Sequence, residues 1–311
     1  MRNRNTNSLK VFFIVNALLL LFSLNTSDTF AEFYVIAGSR GVGTEIKALP
    51  YTISSSGFYY ITKDLSCAAD THGITVNADN VTLDLMGFSL VGGTGAYNGI
   101  YMYERNNVEI RNGTVMKFPS GGINEAKAGN GKGHRIINIR AKDNGGSGIA
   151  LMGYGHLVEG CTASYNVSIG IHAEFHSTIT GNTSLLNTNN GINVGPASTI
   201  TGNTCFQNSF QGIFADVNST VTGNTSYANN SHGIFTCSGS TVTGNTSNLN
   251  GGSGINAGEG STIIGNTCGS NTGYGIYLGG YDLVDQNTAY NNTAGNMSGC
   301  IGCQYGTNVA P

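Results

Sequence analysis

The side chains able to do chemistry in this 311-residue sequence crowd between Tyr101 and His176, and the later part of the chain is almost bare of charge. No Lys or Arg follows Lys142. Lys127, His134, His172 and Glu174 offer a cation, two imidazoles and a carboxylate, the groups that acid–base catalysis draws on. These four are the candidate catalytic residues. His134 and His156 share one position of a repeat, and His176 stands one residue before it. Imidazoles on neighbouring turns can share a metal ion or act as acid and base near neutral pH, so these three are the candidate metal ligands. The plainer expectation is that they are exposed polar residues opening a strand, as the serines that replace them later (Ser177, Ser198, Ser219, Ser240 and Ser261) would be.

What must position these groups is a repeat of about 21 residues. Gly-Ile pairs fall at Gly170, Gly191, Gly212, Gly233, Gly254 and Gly275, and Gly-Asn-Thr triplets at Gly181, Gly202, Gly223, Gly244 and Gly265. The Gly-Ile landmark continues less regularly back through Gly148, Gly122, Gly99 and Gly73. Each unit holds three short apolar–polar alternations, beginning at Gly-Ile, at Ser-Thr-Ile and at the Thr after Gly-Asn. They have the lengths of strands and none is long enough for a helix. One unit per turn and three strands per unit make an all-β parallel β-helix. Ten landmarks at the strand spacing of about 4.8 Å give a rod of roughly 45 Å.

Within that frame the columns sort themselves. Ile171, Ile192, Ile213, Ile234, Ile255 and Ile276 form one interior row, and Ile179, Ile200, Val221, Val242 and Ile263 another. Asn182, Asn203, Asn224, Asn245 and Asn266 are expected at a tight turn, where Asn tolerates left-handed backbone and its amide can bond to the next Asn along the axis. Asn187, Asn208, Asn229, Asn250 and Asn271 make a second such column. Residues flanking the interior position of the Gly-Ile strand point outward. They read Tyr101 and Tyr103, then His172 and Glu174, Phe214 and Asp216, Phe235 and later Tyr277. Aromatic rings beside carboxylates on a long flat face suit a sugar chain, and these are the candidate binding residues. The alternative is that the rings simply pack on one another.

The ends differ from the repeat. Arg2, Arg4 and Lys10 precede an apolar run from Val11 to Leu24, the pattern of a secretory signal over residues 1–31, cut after Ala31. The run is short for a membrane span, and no later stretch could be one. Residues 32–72 are expected to cap the first open turn, residues 73–295 to form the β-helix, and 296–311 to close its far end or lie loose. Cys205 and Cys268 share an interior column, and Cys67, Cys161 and Cys237 have no assignable partner. Cys300 and Cys303 leave a local disulfide, plain thiols or half of a metal site open. With a formal net charge of −3, nothing favours nucleic acid.

The Gly-Ile and Gly-Asn-Thr repeats, preceded by Gly73-Ile-Thr-Val-Asn-Ala-Asp-Asn-Val-Thr-Leu-Asp-Leu-Met-Gly-Phe, resemble the right-handed parallel β-helix proteins of the pectate-lyase-like superfamily. The resemblance covers roughly residues 49–295 and points to the carbohydrate-binding and sugar-hydrolase (CASH) repeat branch. It implies a right-handed coil, which agrees with the handedness of parallel crossovers. For function it implies a choice among lyases, epimerases, hydrolases, adhesins and periplasmic maturation factors. The Asp-Pro-His-Asp/Glu motif of alginate epimerases is missing, Ile171-His172-Ala173-Glu174-Phe175-His176 being the nearest stretch, and so are the Asn-Thr-Asp and Asp-Asp motifs of polygalacturonases. A calcium-dependent lyase would need its basic Lys or Arg from the earlier turns. The expectation is therefore an exported protein, secreted, periplasmic or at the cell surface, that binds polysaccharide or another surface polymer. The alternatives are a lyase or epimerase acting on a uronate-containing polymer, with calcium as the possible cofactor, and a structural rod or maturation factor.

Overall fold

The computed structural model describes residues 43–68, 70–126 and 131–311. The expected signal segment, the first part of the expected cap and Lys127 lie outside the described residues. All regular structure in the described residues is β-strand, arranged as a parallel solenoid.

One sheet is built from the Gly-Ile strands, in sequence order from Tyr51–Ile53 to Gly295–Met297. It has twelve strands where ten landmarks were counted. The two additions are the end strands, which keep the backbone ladder after the Gly-Ile signature has gone. Tyr51–Ile53 pairs in register with Ile74–Val76, and Gly57–Tyr60 and Leu65–Cys67 pair with the strands one turn on. Residues of the expected cap therefore supply a full coil. At the other end Gln304–Tyr305 pairs with Leu283–Asp285, and Val309 bridges to Thr288.

The other two strands of each turn meet at a corner. Val108–Met116 and Arg135–Lys142 run through that corner and pair with both sets, which joins them into one 22-stranded sheet. The anticipated rows Ile171 to Ile276 and Ile179 to Ile263 are both fully buried.

Two asparagine ladders close the corners. Asn224 shows the pattern: its backbone N–H and its Nδ2 both donate to Oδ1 of Asn245, at 2.9 and 3.0 Å, and Nδ2 also donates to the Ile200 carbonyl at 2.9 Å. The ladder runs from Asn182 to Asn308, and its counterpart from Asn144 to Asn292. Apart from the half-buried ends Asn292 and Asn308 these asparagines are buried, and the left-handed backbone expected of them falls to the residue before. Gly181, Gly202, Gly223, Gly244 and Gly265 take φ near +64° ahead of one ladder, while Leu186, Gln207, Ala228, Leu249 and Ser270 take φ near +55° ahead of the other. A side chain that must reach inward to the next turn needs a residue before it that reverses the chain, and the amide then has no solvent role.

The glycine of Gly-Ile answers a different demand. Ser226 Oγ donates to the Gly233 carbonyl at 2.7 Å, directly over Gly212, and a Cβ on Gly212 would collide with that hydroxyl and lie 2.6 Å from the carbonyl oxygen. Gly212→Ala is expected to destabilise by about 1–3 kcal/mol through overpacking. Asn224→Ala, which strands buried backbone groups on both sides, should cost about 1–3 kcal/mol. Ala228→Gly, at a left-handed position, should be neutral or stabilising. Denaturant unfolding of the three variants checks the order.

Candidate functional site

The Gly-Ile sheet carries one outward column: Thr52, Thr75, Tyr101, Asn124, Ala150, His172, Asn193, Phe214, Phe235, Asn256 and Tyr277, each in register with the next. Two residues further along the strand, Glu174 and Asp216 lie on the same side, separated by the turn that carries Gly195. The sheet thus gathers Tyr101, His172, Glu174, Phe214, Asp216 and Phe235 on one face, and Tyr103 stands exposed beyond Tyr101. Where the column narrows to Ala150 there is a hollow of about 300 Å³ lined by Asn98, Ser120, Gly121, Asn124, Ala150 and Met152.

The rings do pack on one another. Phe214 and Phe235 stack with centroids 5.4 Å apart and planes within 4°, and Tyr101 stacks on His72 at 4.2 Å. They stay only partly buried, so their edges and end faces remain available. Glu174 Oε2 accepts the Gly153 N–H at 2.9 Å, and Asp216 Oδ1 accepts the Val217 N–H at 2.7 Å. Burial lowers the pKa of His172, opposed by the Glu174 carboxylate and by bonding to Asn193, and its Nδ1 is buried without a partner. It presents a neutral imidazole beside a carboxylate.

His134 and His156 lie elsewhere, and not as exposed residues opening a strand. Both are fully buried in the solenoid and stack at 5.0 Å. Their position is a ladder in which each backbone N–H donates to the side chain one turn on. Val108 N–H reaches His134 Nδ1, His134 N–H reaches His156 Nδ1, and His156 N–H reaches Ser177 Oγ, all at 3.3 Å. Imidazole and serine hydroxyl are interchangeable acceptors there. Since Nδ1 accepts, the ring proton sits on Nε2, which in His156 donates to the Met152 carbonyl at 3.2 Å. Burial, then His134, push His156 down to about 3.

His134 Nε2 faces Glu125 Oε2 at 3.4 Å, both side chains fully enclosed. Glu125, a charged residue of the longer turn between Gly122 and Gly148, is not among the candidate site residues, and it lies in the core rather than on the binding side. It occupies an interior position of the Gly-Ile strand, in register with Ile53, Val76 and Met102, and its Oε1 accepts the Glu104 N–H at 2.5 Å. An acid two residues after the Ile of Gly-Ile, where neighbouring turns carry Val, Met, Leu and Ala, was the available signal. His176 is exposed, beside Tyr154. The three histidines do not meet at one point, and of the described catalytic candidates, His134, His172 and Glu174, only His172 and Glu174 stand together.

Residues 51–200 and 130–267 match the model of a family described as right handed beta helix region. The chain belongs to that family. Its coil is accordingly right-handed, in keeping with the pectate-lyase-like superfamily. Among solved structures it is similar to the A-module of the Azotobacter vinelandii mannuronan C-5 epimerase AlgE6, with TM-score 0.70, 15% identity, 82% of this chain and 83% of that one covered. A variant of the periplasmic alginate epimerase AlgG gives TM-score 0.64 at 15% identity, over 82% and 75%. The Dettilon tailspike protein gives 0.57 at 18%, over 86% of this chain and 58% of that one. At these identities the likeness is one of fold. No curated protein sequence matches the chain.

Elsewhere, Cys300 and Cys303 form a disulfide beside the buried Asp282. Among the described residues no helix is long and apolar enough to cross a membrane.

Two outcomes follow from the buried pair. His134→Ser alone should destabilise by about 1–3 kcal/mol because it leaves the buried Glu125 Oε2 facing no donor, whereas Glu125→Leu with His134→Ser should recover most of that loss. Because the native state binds fewer protons at His156 than the unfolded chain does, stability should be full above pH 6.5 and fall as the pH drops from 6.5 toward 3. Thermal melts of the native chain and of His156→Ser across that window check it, the variant showing the shallower fall.

Proposed function

We propose that this chain is an exported polysaccharide-binding protein whose ligand lies along the outer face of the Gly-Ile sheet. The observation that carries this reading is the single in-register column from Tyr101 to Tyr277, with rings, amides and the carboxylates Glu174 and Asp216 on one side of a rigid ladder. A polymer with its own axial repeat can meet such a face at several turns at once, and the contacts then add without new loop ordering. The sugar-acting relatives in fold support the class of ligand, and the leader-like residues 1–31 support export.

Catalysis is the second reading, and one observation favours it. His172 stands half-buried in the outward column next to Glu174, in the turn beside the hollow over Ala150. An imidazole and a carboxylate side by side on one face are groups that can exchange protons with a bound sugar. Against it, His134 is committed to the core, where no polymer reaches. Binding without proven turnover is the better supported of the two.

Native gels cast with a panel of polysaccharides, with and without calcium, separate the readings. Retardation with intact polymer, relieved several-fold by Phe214→Ala, Phe235→Ala or Tyr101→Ala, is the expected result. Clearing of the polymer that is abolished by His172→Ala would replace binding with catalysis. No retardation on any polymer would remove the proposal.

A further inference from the structure

The charges along this face are all of one sign. From residue 143 to the end the chain has seven acids, Asp143, Glu159, Glu174, Asp216, Glu259, Asp282 and Asp285, and no Lys or Arg. His176 stands exposed two residues from Glu174, and the other histidines of the face are at least partly buried. Burial lowers the pKa of His172 within the face, and of His72 and His232 beside its rings. From His172 to Tyr277 the face therefore offers a ligand carboxylates, amides and rings, without a fixed cation.

A polyanion would meet that surface at a loss, since like charges brought together in a partly dehydrated groove repel and find no counter-charge. Glu174 and Asp216 also have a defined spacing. They share one outward column two turns apart, about 9.6 Å along the axis at the strand spacing. Gly195, in the turn between them, adds no side chain. One oxygen of each carboxylate is held by a backbone N–H, at 2.9 Å for Glu174 and 2.7 Å for Asp216, which fixes its direction. In an extended β-1,4-linked chain, successive sugars alternate in facing, so every second residue presents the same substituent to the same side. A two-turn spacing is close to that repeat.

Resting on the reading that this face binds polysaccharide, we infer that its ligand carries amino groups: a β-1,4-linked amino-sugar polymer with free ammonium substituents, which Glu174 and Asp216 take at every second residue. Each ammonium would donate charge-assisted hydrogen bonds to a carboxylate already oriented by the backbone. Fold relatives that act on alginate would then share the scaffold and differ in the sign of the charge they read.

Isothermal titration of the full chain with three probes of equal length tests this: an oligomer of β-1,4-glucosamine, its fully N-acetylated counterpart, and an oligouronate. The expected result is binding of the free amine about tenfold or more tighter than the N-acetylated oligomer, weakened by added salt, with no binding of the uronate. Glu174→Gln and Asp216→Asn should each reduce the preference, while Glu159→Gln, exposed on the other sheet, should leave it unchanged. If the Glu159 variant lowers binding as much as the other two, attraction is to net charge and the inference fails. Equal binding of the amine and N-acetylated oligomers would overturn the inference and leave the polysaccharide-binding face standing. Binding of the uronate, with or without calcium, would overturn it as well. Failure of all three probes would remove the inference, and the reading it rests on would then stand or fall with the polymer panel.

Discussion

Everything in this molecule depends on the constraint that each turn must hydrogen-bond in register to the next. In the regular part the backbone pairs residues 21 apart, and the asparagine amides repeat that step inside the coil. An interior amide would be costly without partners. Here each Nδ2 meets the next Oδ1 and a carbonyl of the preceding turn, so a polar column sits inside the apolar one. The penalty for losing register is large, since a one-residue slip would turn the Ile row outward and break both ladders together.

That constraint explains the division between core and surface chemistry. A column is a shared environment, and a residue placed in it takes on the role of the column. His134 and His156 lie in a hydrogen-bond ladder that serine fills elsewhere, so they act as acceptors for backbone N–H groups and are spent in doing so. His172 lies half-buried in an outward column beside Glu174. The same side chain is structural in one row and available in the other. Glu125 is the exception, an acid in a row of apolar residues, and its burial is tolerated because His134 stands one corner away.

The outer face inherits its regularity from the same source. Rings and carboxylates on successive turns stand at fixed intervals because the strands beneath them do, and no loop has to order for the interval to hold. It also limits what the face can do, because side chains on different turns stay about 4.8 Å or a multiple of it apart along the axis. A bound polymer with a matching repeat gains at each turn, and a small molecule meets only one.

The sequence by itself determined the fold class, the strand rows and the outward face, because strict 21-residue periodicity says which residues share a column and alternation within a strand says which way they point. The rows of Ile171 and Ile179, the stacking of both asparagine columns and the grouping of His172 with Glu174 were all legible in this way. The tertiary structure decided what alternation cannot reach, the residues at the corners. There the direction of a side chain is set by which neighbour takes positive φ, Gly181 before Asn182 and Leu186 before Asn187, and Leu is no left-handed signal in a sequence. The same limit hid the inward turn of His134 and His156, which stand just ahead of their strands, and with it the buried contact to Glu125. Periodicity counts residues along the chain; only the folded backbone shows which side of the corner each one occupies.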